Sequence, residues 1–133
     1  MTQHTALSPE RWAGFPLDQK ILMIANEMHR ASLLLGPGDG ASRRNAYERV
    51  LRLTYLTIEA QSRGGLRREL LLWRGLVAEL FVADEPRPAS HLAALHALLL
   101  LDREAARQRP YVLPRAVAAV NSSPERGRTM DSD

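Results

Sequence analysis

Cysteine is absent from the 133 residues. That excludes a disulfide-stapled design and a cysteine nucleophile. There is no glycine period, which excludes a collagen-like chain. No apolar stretch reaches the ~18 residues needed to span a bilayer. The opening run MTQHTALSPERW lacks a basic start followed by an apolar core. The expectation is therefore no signal peptide, no membrane and a cytoplasmic location. Aromatic residues make up only 5% of the chain. Lysine is nearly missing as well: Lys20 is the only one, and every other Lys/Arg position is arginine.

What is present reads as an ordinary globular domain. Apolar residues are 45% and charged residues 25%, enough to build a core. The length fits one domain. Residues 1–109 are expected to form a helical domain with an N-terminal arm, and 110–133 a C-terminal segment that is largely flexible tail. Net charge is +3 and the pI is near 9.9. The high pI follows mainly from arginine, and codon bias towards Arg, Ala, Gly and Pro accounts for it. A phosphate-binding surface is the alternative.

Helical periodicity dominates. Ser8, Pro9 and Glu10 suit the start of a short helical arm carrying Trp12 and Phe15, closed by Pro16. Leu17, Ile21, Ile24, Met28, Ala31 and Leu35 keep a 4-3-4-3-4 spacing, which predicts a helix from Leu17 to Leu35. The GPGDG turn at 36–40 ends it. A second helix is expected over Ser42 to Gln61, with the stripe Tyr47, Leu51, Thr54 and Ile58, broken by Gly64-Gly65. A third is expected over Leu66 to Val82, on Leu66, Leu70, Trp73, Val77 and Leu80. A fourth starts after a Ser90 cap and runs to Gln108. No period-two strand pattern occurs. The expected architecture is all-α, an antiparallel four-helix bundle with a short N-terminal helical arm and a flexible C-terminal tail.

The chemistry-bearing residues fall into few patterns. His4, His29, His91 and His96 show no metal-ligand spacing, so neither metal nor cofactor is expected. No Gly-x-Ser-x-Gly or phosphate-loop motif occurs. Enzymatic activity is left open, with the balance against it. A candidate polar cluster joins Asn26, Glu27 and Arg30 on the first long helix to Tyr47, Glu48 and Arg52 on the second. A solvated face with flanking ion pairs is the simpler alternative. Arg43 and Arg44 beside GPGDG are candidate anion contacts at a helix start. Arg63, Arg67 and Arg68 extend the candidate set for nucleic acid, flanked by Arg74 but with aromatics scarce for base stacking. Leu71, Leu72 and Leu76 widen the third helix beyond one stripe, and Leu98, Leu99, Leu100 and Leu101 encircle the fourth. Leu71, Leu72, Leu76, Leu98 and Leu101 are therefore the candidate interface of a homodimer. The competing account is that the Trp12/Phe15 arm or the 112–120 segment covers them.

Two resemblances rest on these residues. Asn26-Glu27-Met28-His29-Arg30-Ala31, Ala46-Tyr47-Glu48-Arg49-Val50-Leu51, and Arg74-Gly75-Leu76 with Phe81 resemble motifs of a family of small, uncharacterised bacterial all-helical proteins. The likeness covers about residues 11–105 and implies a fold only. Ser42-Arg43-Arg44-Asn45-Ala46-Tyr47 is similar to the second helix of HEPN bundles, many of which are RNases or toxin–antitoxin partners. The HEPN Arg-to-His catalytic spacing is not matched, since Arg87 precedes His91 by four positions and His96 by nine. The leading functional expectation is a non-enzymatic, dimeric protein-interaction module. The alternative is a HEPN-like nucleic-acid-associated protein.

Overall fold

A computed structural model describes residues 8–61 and 64–107. The fold is all-α, with no strand among the described residues. Helix α1 (Pro9–Ala13) starts where Ser8 accepts from the Arg11 N–H at 3.1 Å, with Pro9 in the first turn. Helix α2 spans Leu17–Ser32. A single 3-10 turn, Pro37–Asp39, leads into α3 (Gly40–Ala60). Then come α4 (Gly64–Val82), α5 (Pro88–Leu99) and α6 (Arg103–Ala106).

The helix stripes read from the sequence meet in one core. α2 packs on α3 and α5, and α4 packs on the same two helices. Ile21, Ile24 and Met28 from α2, Val50 and Leu53 from α3, Leu70 and Val77 from α4, and Leu95, Leu98 and Leu99 from α5 are fully buried. The short arm closes one side. α1 packs on α3, where Trp12 is fully buried and its indole N–H donates to Thr57 Oγ1 at 2.9 Å. Phe15 meets the Trp12 ring edge-on at 5.9 Å. α6 packs on α2 and α5.

Four boundaries differ from the periodicity, each for a local reason. α2 stops at Ser32, not Leu35, because the Leu33 and Leu34 N–H groups bond back three residues to Arg30 and Ala31. The carbonyls beyond then turn to another partner, Arg43. The Gly64-Gly65 doublet forms the first turn of α4 and does not precede it. α5 starts at Pro88, whose missing N–H costs nothing in a first turn, so Ser90 is not its cap. The fourth helix divides at Leu100: the chain turns, and Asp102 caps α6 by accepting from the Ala105 N–H at 3.0 Å. Residues 108–133, with the expected tail and the 112–120 segment, lie outside the described residues.

Candidate functional site

The candidate polar cluster separates into an inner and an outer part. Glu27 is 3% exposed, although it is a carboxylate. Arg49 holds it, its Nε 2.9 Å from Oε1, and Arg30 adds a looser contact at 3.8 Å. A buried carboxylate needs such pairing. Asn26, Glu48 and Arg52 are exposed and stand outside this pair. Arg49 is the member that the sequence reading missed. Its signal is positional: it lies three residues after Ala46 and four before Leu53, both buried.

Tyr47 departs from the cluster altogether. It is fully buried, and its hydroxyl lies 2.7 Å from His91 Nδ1. His91 Nε2 lies 2.8 Å from the Met28 carbonyl oxygen. A carbonyl only accepts, so Nε2 carries the proton. Nδ1 is then the acceptor, and the Tyr47 O–H donates to it. This chain ties α3, α5 and α2 together. Burial lowers the His91 pKa from its ordinary 6.5, with His29 adding to the effect and the Met28 bond opposing it. Burial raises the Tyr47 pKa to about 12, against the pull of Arg43.

This geometry also bears on the HEPN comparison. Arg87 is exposed, whereas His91 is fully buried with both ring nitrogens engaged. The two do not face a common space.

The arginines expected to bind anions fall into two groups. Arg43 is 4% exposed. Its Nη1 donates to the carbonyls of Leu34 at 3.1 Å and Gly36 at 3.3 Å, and its Nη2 to that of Asp84 at 2.9 Å. It joins the α2–α3 connection to the α4–α5 connection, so it is a staple and not an open anion contact. Arg67 likewise turns inward: its Nη1 donates to the carbonyls of Ile58 at 2.8 Å and Gln61 at 3.3 Å, satisfying the end of α3. Arg44 and Arg68 are exposed. Arg63 lies outside the described residues. The basic cluster is therefore divided between structural and solvent-facing roles.

The candidate interface leucines divide too. Leu98 is fully buried, and Leu101 is half-buried against the same core. Leu98 is therefore closed to a second chain, and Leu101 offers only its partly exposed side. The four leucines do not encircle a helix, because α5 ends at Leu99 and only Leu100 is left outside, 53% exposed. Leu71, Leu72 and Leu76 are exposed at 50%, 64% and 47%. Beside them a cleft of about 460 Å³ runs between α4 and α5, lined by Leu76, Glu79, Leu80, Arg87 and Ala94. A second cleft of about 470 Å³ lies over the Arg43 staple, lined by Leu35, Pro37, Asp84 and Arg87.

No three His, Asp or Glu side chains cluster as metal ligands among the described residues. No described helix is long and apolar enough to cross a membrane. No family model, curated protein or solved structure matches the chain.

Proposed function

We propose that this chain is a non-enzymatic protein-interaction module that presents the outer face of α4 to a partner. One observation carries the reading. α4 has two apolar sides: Leu70, Trp73, Val77 and Leu80 are buried in the core, while Leu71, Leu72 and Leu76 stay about half exposed or more on the other side. Scattered surface leucines need no explanation, but three exposed within six residues of one helix, outside its core stripe, point to an interaction surface. Covering them removes apolar area from water at about 25 cal/mol per Å². The chemistry-bearing side chains around Tyr47, His91, Glu27 and Arg43 bond to one another or to backbone carbonyls, which gives them structural roles.

Site-specific photo-crosslinking in cells tests the reading. A photoreactive residue in place of Leu72 should give an adduct of discrete mass. The same residue in place of Glu48, exposed on α3, should not. Absence of an adduct at Leu72, or equal yields at both positions, would overturn the assignment.

A further inference from the structure

Resting on that reading, we infer that the partner of the α4 face is a second copy of this chain, docked antiparallel about a twofold axis that passes between Trp73 and Arg74. The exposed positions of α4 carry the argument. Gly65, Arg68, Leu72, Gly75, Glu79 and Val82 are all exposed and follow a 3-4-3-4-3 spacing. That is the spacing of a helix–helix seam, and it lies opposite the seam already used for the core.

The outer seam is self-complementary when read in opposite directions. An antiparallel pair centred between Trp73 and Arg74 sets each residue against the one equally far from the centre. Arg68 then faces Glu79 of the second copy, and Glu79 faces its Arg68. Leu72 faces Gly75. Gly65 faces Val82, and Leu71 and Leu76 flank the seam on its two sides, Leu76 at the mouth of the cleft between α4 and α5. Charge meets opposite charge, and a large residue meets a small one, the arrangement that lets facing helices interdigitate. Each contact occurs twice, as a twofold interface requires. A parallel pair would instead set Arg68 on Arg68 and Glu79 on Glu79, and leave a gap at Gly75.

Two features of the isolated chain agree. Arg68 and Glu79 form no ion pair among the described residues, so both charges are available. Gly75 sits in mid-helix with no atom within 4 Å of where a Cβ would stand, and its φ is not positive. Nothing among the described residues requires glycine there, although glycine weakens a helix interior relative to alanine. Close approach of the second copy's Leu72 supplies the requirement.

The absence of cysteine makes the register directly measurable. A mixture of Leu72→Cys and Gly75→Cys chains, gently oxidised, should yield the mixed disulfide dimer in excess of either homodimer. Sedimentation of the unmodified chain at micromolar concentration should give about twice its 14.9 kDa mass. Arg68→Glu and Glu79→Arg should each weaken the dimer about fivefold, and the double exchange should restore it. Gly75→Leu should abolish the dimer, while circular dichroism shows the helical fold retained in the open space at that position. A dimer with no preference for the mixed disulfide, or indifferent to the single charge reversals, overturns the antiparallel register. A single-chain mass together with a crosslink from position 72 to a different protein overturns self-pairing but leaves the interaction reading standing. A single-chain mass with no crosslink removes both.

Discussion

The Tyr47 hydroxyl donates to His91 Nδ1 across 2.7 Å in a fully buried setting. The two residues are 44 positions apart and come from α3 and α5. The opposite ring nitrogen is fixed by the Met28 carbonyl on α2. Three helices are thus joined through one imidazole whose tautomer is determined by its neighbours. Such a network is favourable only when every member is satisfied, because an orphaned polar group in the core has no water to turn to.

This linkage gives a pH dependence with a definite sign. The folded-state pKa of His91 lies below its ordinary value of 6.5, so the unfolded chain binds the extra proton more readily. The contribution of His91 is full above pH 6.5 and is lost as pH falls from there through the folded value. Tyr47 acts at the other end. Its pKa rises from 10.0 to about 12, so its contribution is full below pH 10 and is lost as pH rises towards 12. Urea unfolding followed across pH should show both declines. Tyr47→Phe should remove the alkaline decline and cost about 1–3 kcal/mol at neutral pH, since it leaves Nδ1 without a donor. Unchanged stability in Tyr47→Phe would show that this bond does not hold the core.

Arg43 is expected to resist conservative replacement. Its guanidinium reaches carbonyls on two separate connections. A lysine ammonium is a point donor and cannot hold both sides in that fork. Arg43→Lys should recover only part of the loss caused by Arg43→Ala, which is about 2 kcal/mol or more. Hydrogen exchange should quicken at the start of α3 and at the start of α5 together in either variant. Quickening at only one of the two would separate the connections and refute the staple.

Glu27 gives an asymmetric expectation. Arg49→Met removes the close ion-pair partner of a buried carboxylate, whose contact with Arg30 is longer and more exposed on the arginine side. It should cost about 1–3 kcal/mol, the range for removing one partner of a buried polar group. The double variant Glu27→Gln with Arg49→Met should be more stable than Arg49→Met alone, because it removes a buried charge that has lost its close arginine. Chemical denaturation of the three proteins checks this. A double variant less stable than Arg49→Met alone would refute it.

The helices and their inner stripes were legible in the sequence because burial imposes a 3-4 repeat on the residues themselves. Leu70, Trp73 and Val77 are buried as that repeat requires. Hydrogen-bond geometry writes no such repeat. Arg43 and Arg67 look like their solvent-facing neighbours Arg44 and Arg68 in sequence, and only the nearby helix ends make them staples. The leucine run misled for a related reason. Four leucines surround a helix only if it continues past them, and the Asp102 cap that restarts the chain as α6 is a single-residue signal. The outer face of α4 was half visible: Leu71, Leu72 and Leu76 stood out, but Arg68, Gly75 and Glu79 joined them only once exposure separated the two faces.

The two tryptophans report on different parts of the molecule and should nevertheless unfold together. Trp12 joins the arm to α3 through Thr57, and Trp73 joins α4 to α5 by donating to the Ala94 carbonyl at 2.8 Å. Both are buried, at 0% and 3% exposure. Both should therefore emit at short wavelength when folded and shift to the red on unfolding. α1 has five residues, too short to form a helix without tertiary contacts. Its order depends on the Trp12 anchor. Trp73→Ala removes a packed ring from the main core and should cost roughly 3–5 kcal/mol, enough to unfold a marginal domain. Trp12→Ala should cost a comparable amount, because the indole is fully enclosed, and it should release the arm. The gentler pair, Trp12→Phe and Trp73→Phe, leaves one reporter in each protein. Thermal melts of the two should each show one transition, coincident with the loss of helix seen by circular dichroism. If Trp12 fluorescence in Trp73→Phe shifts well before helix is lost, the arm is an independent unit resting on the core, and its burial does not contribute to the cooperative fold.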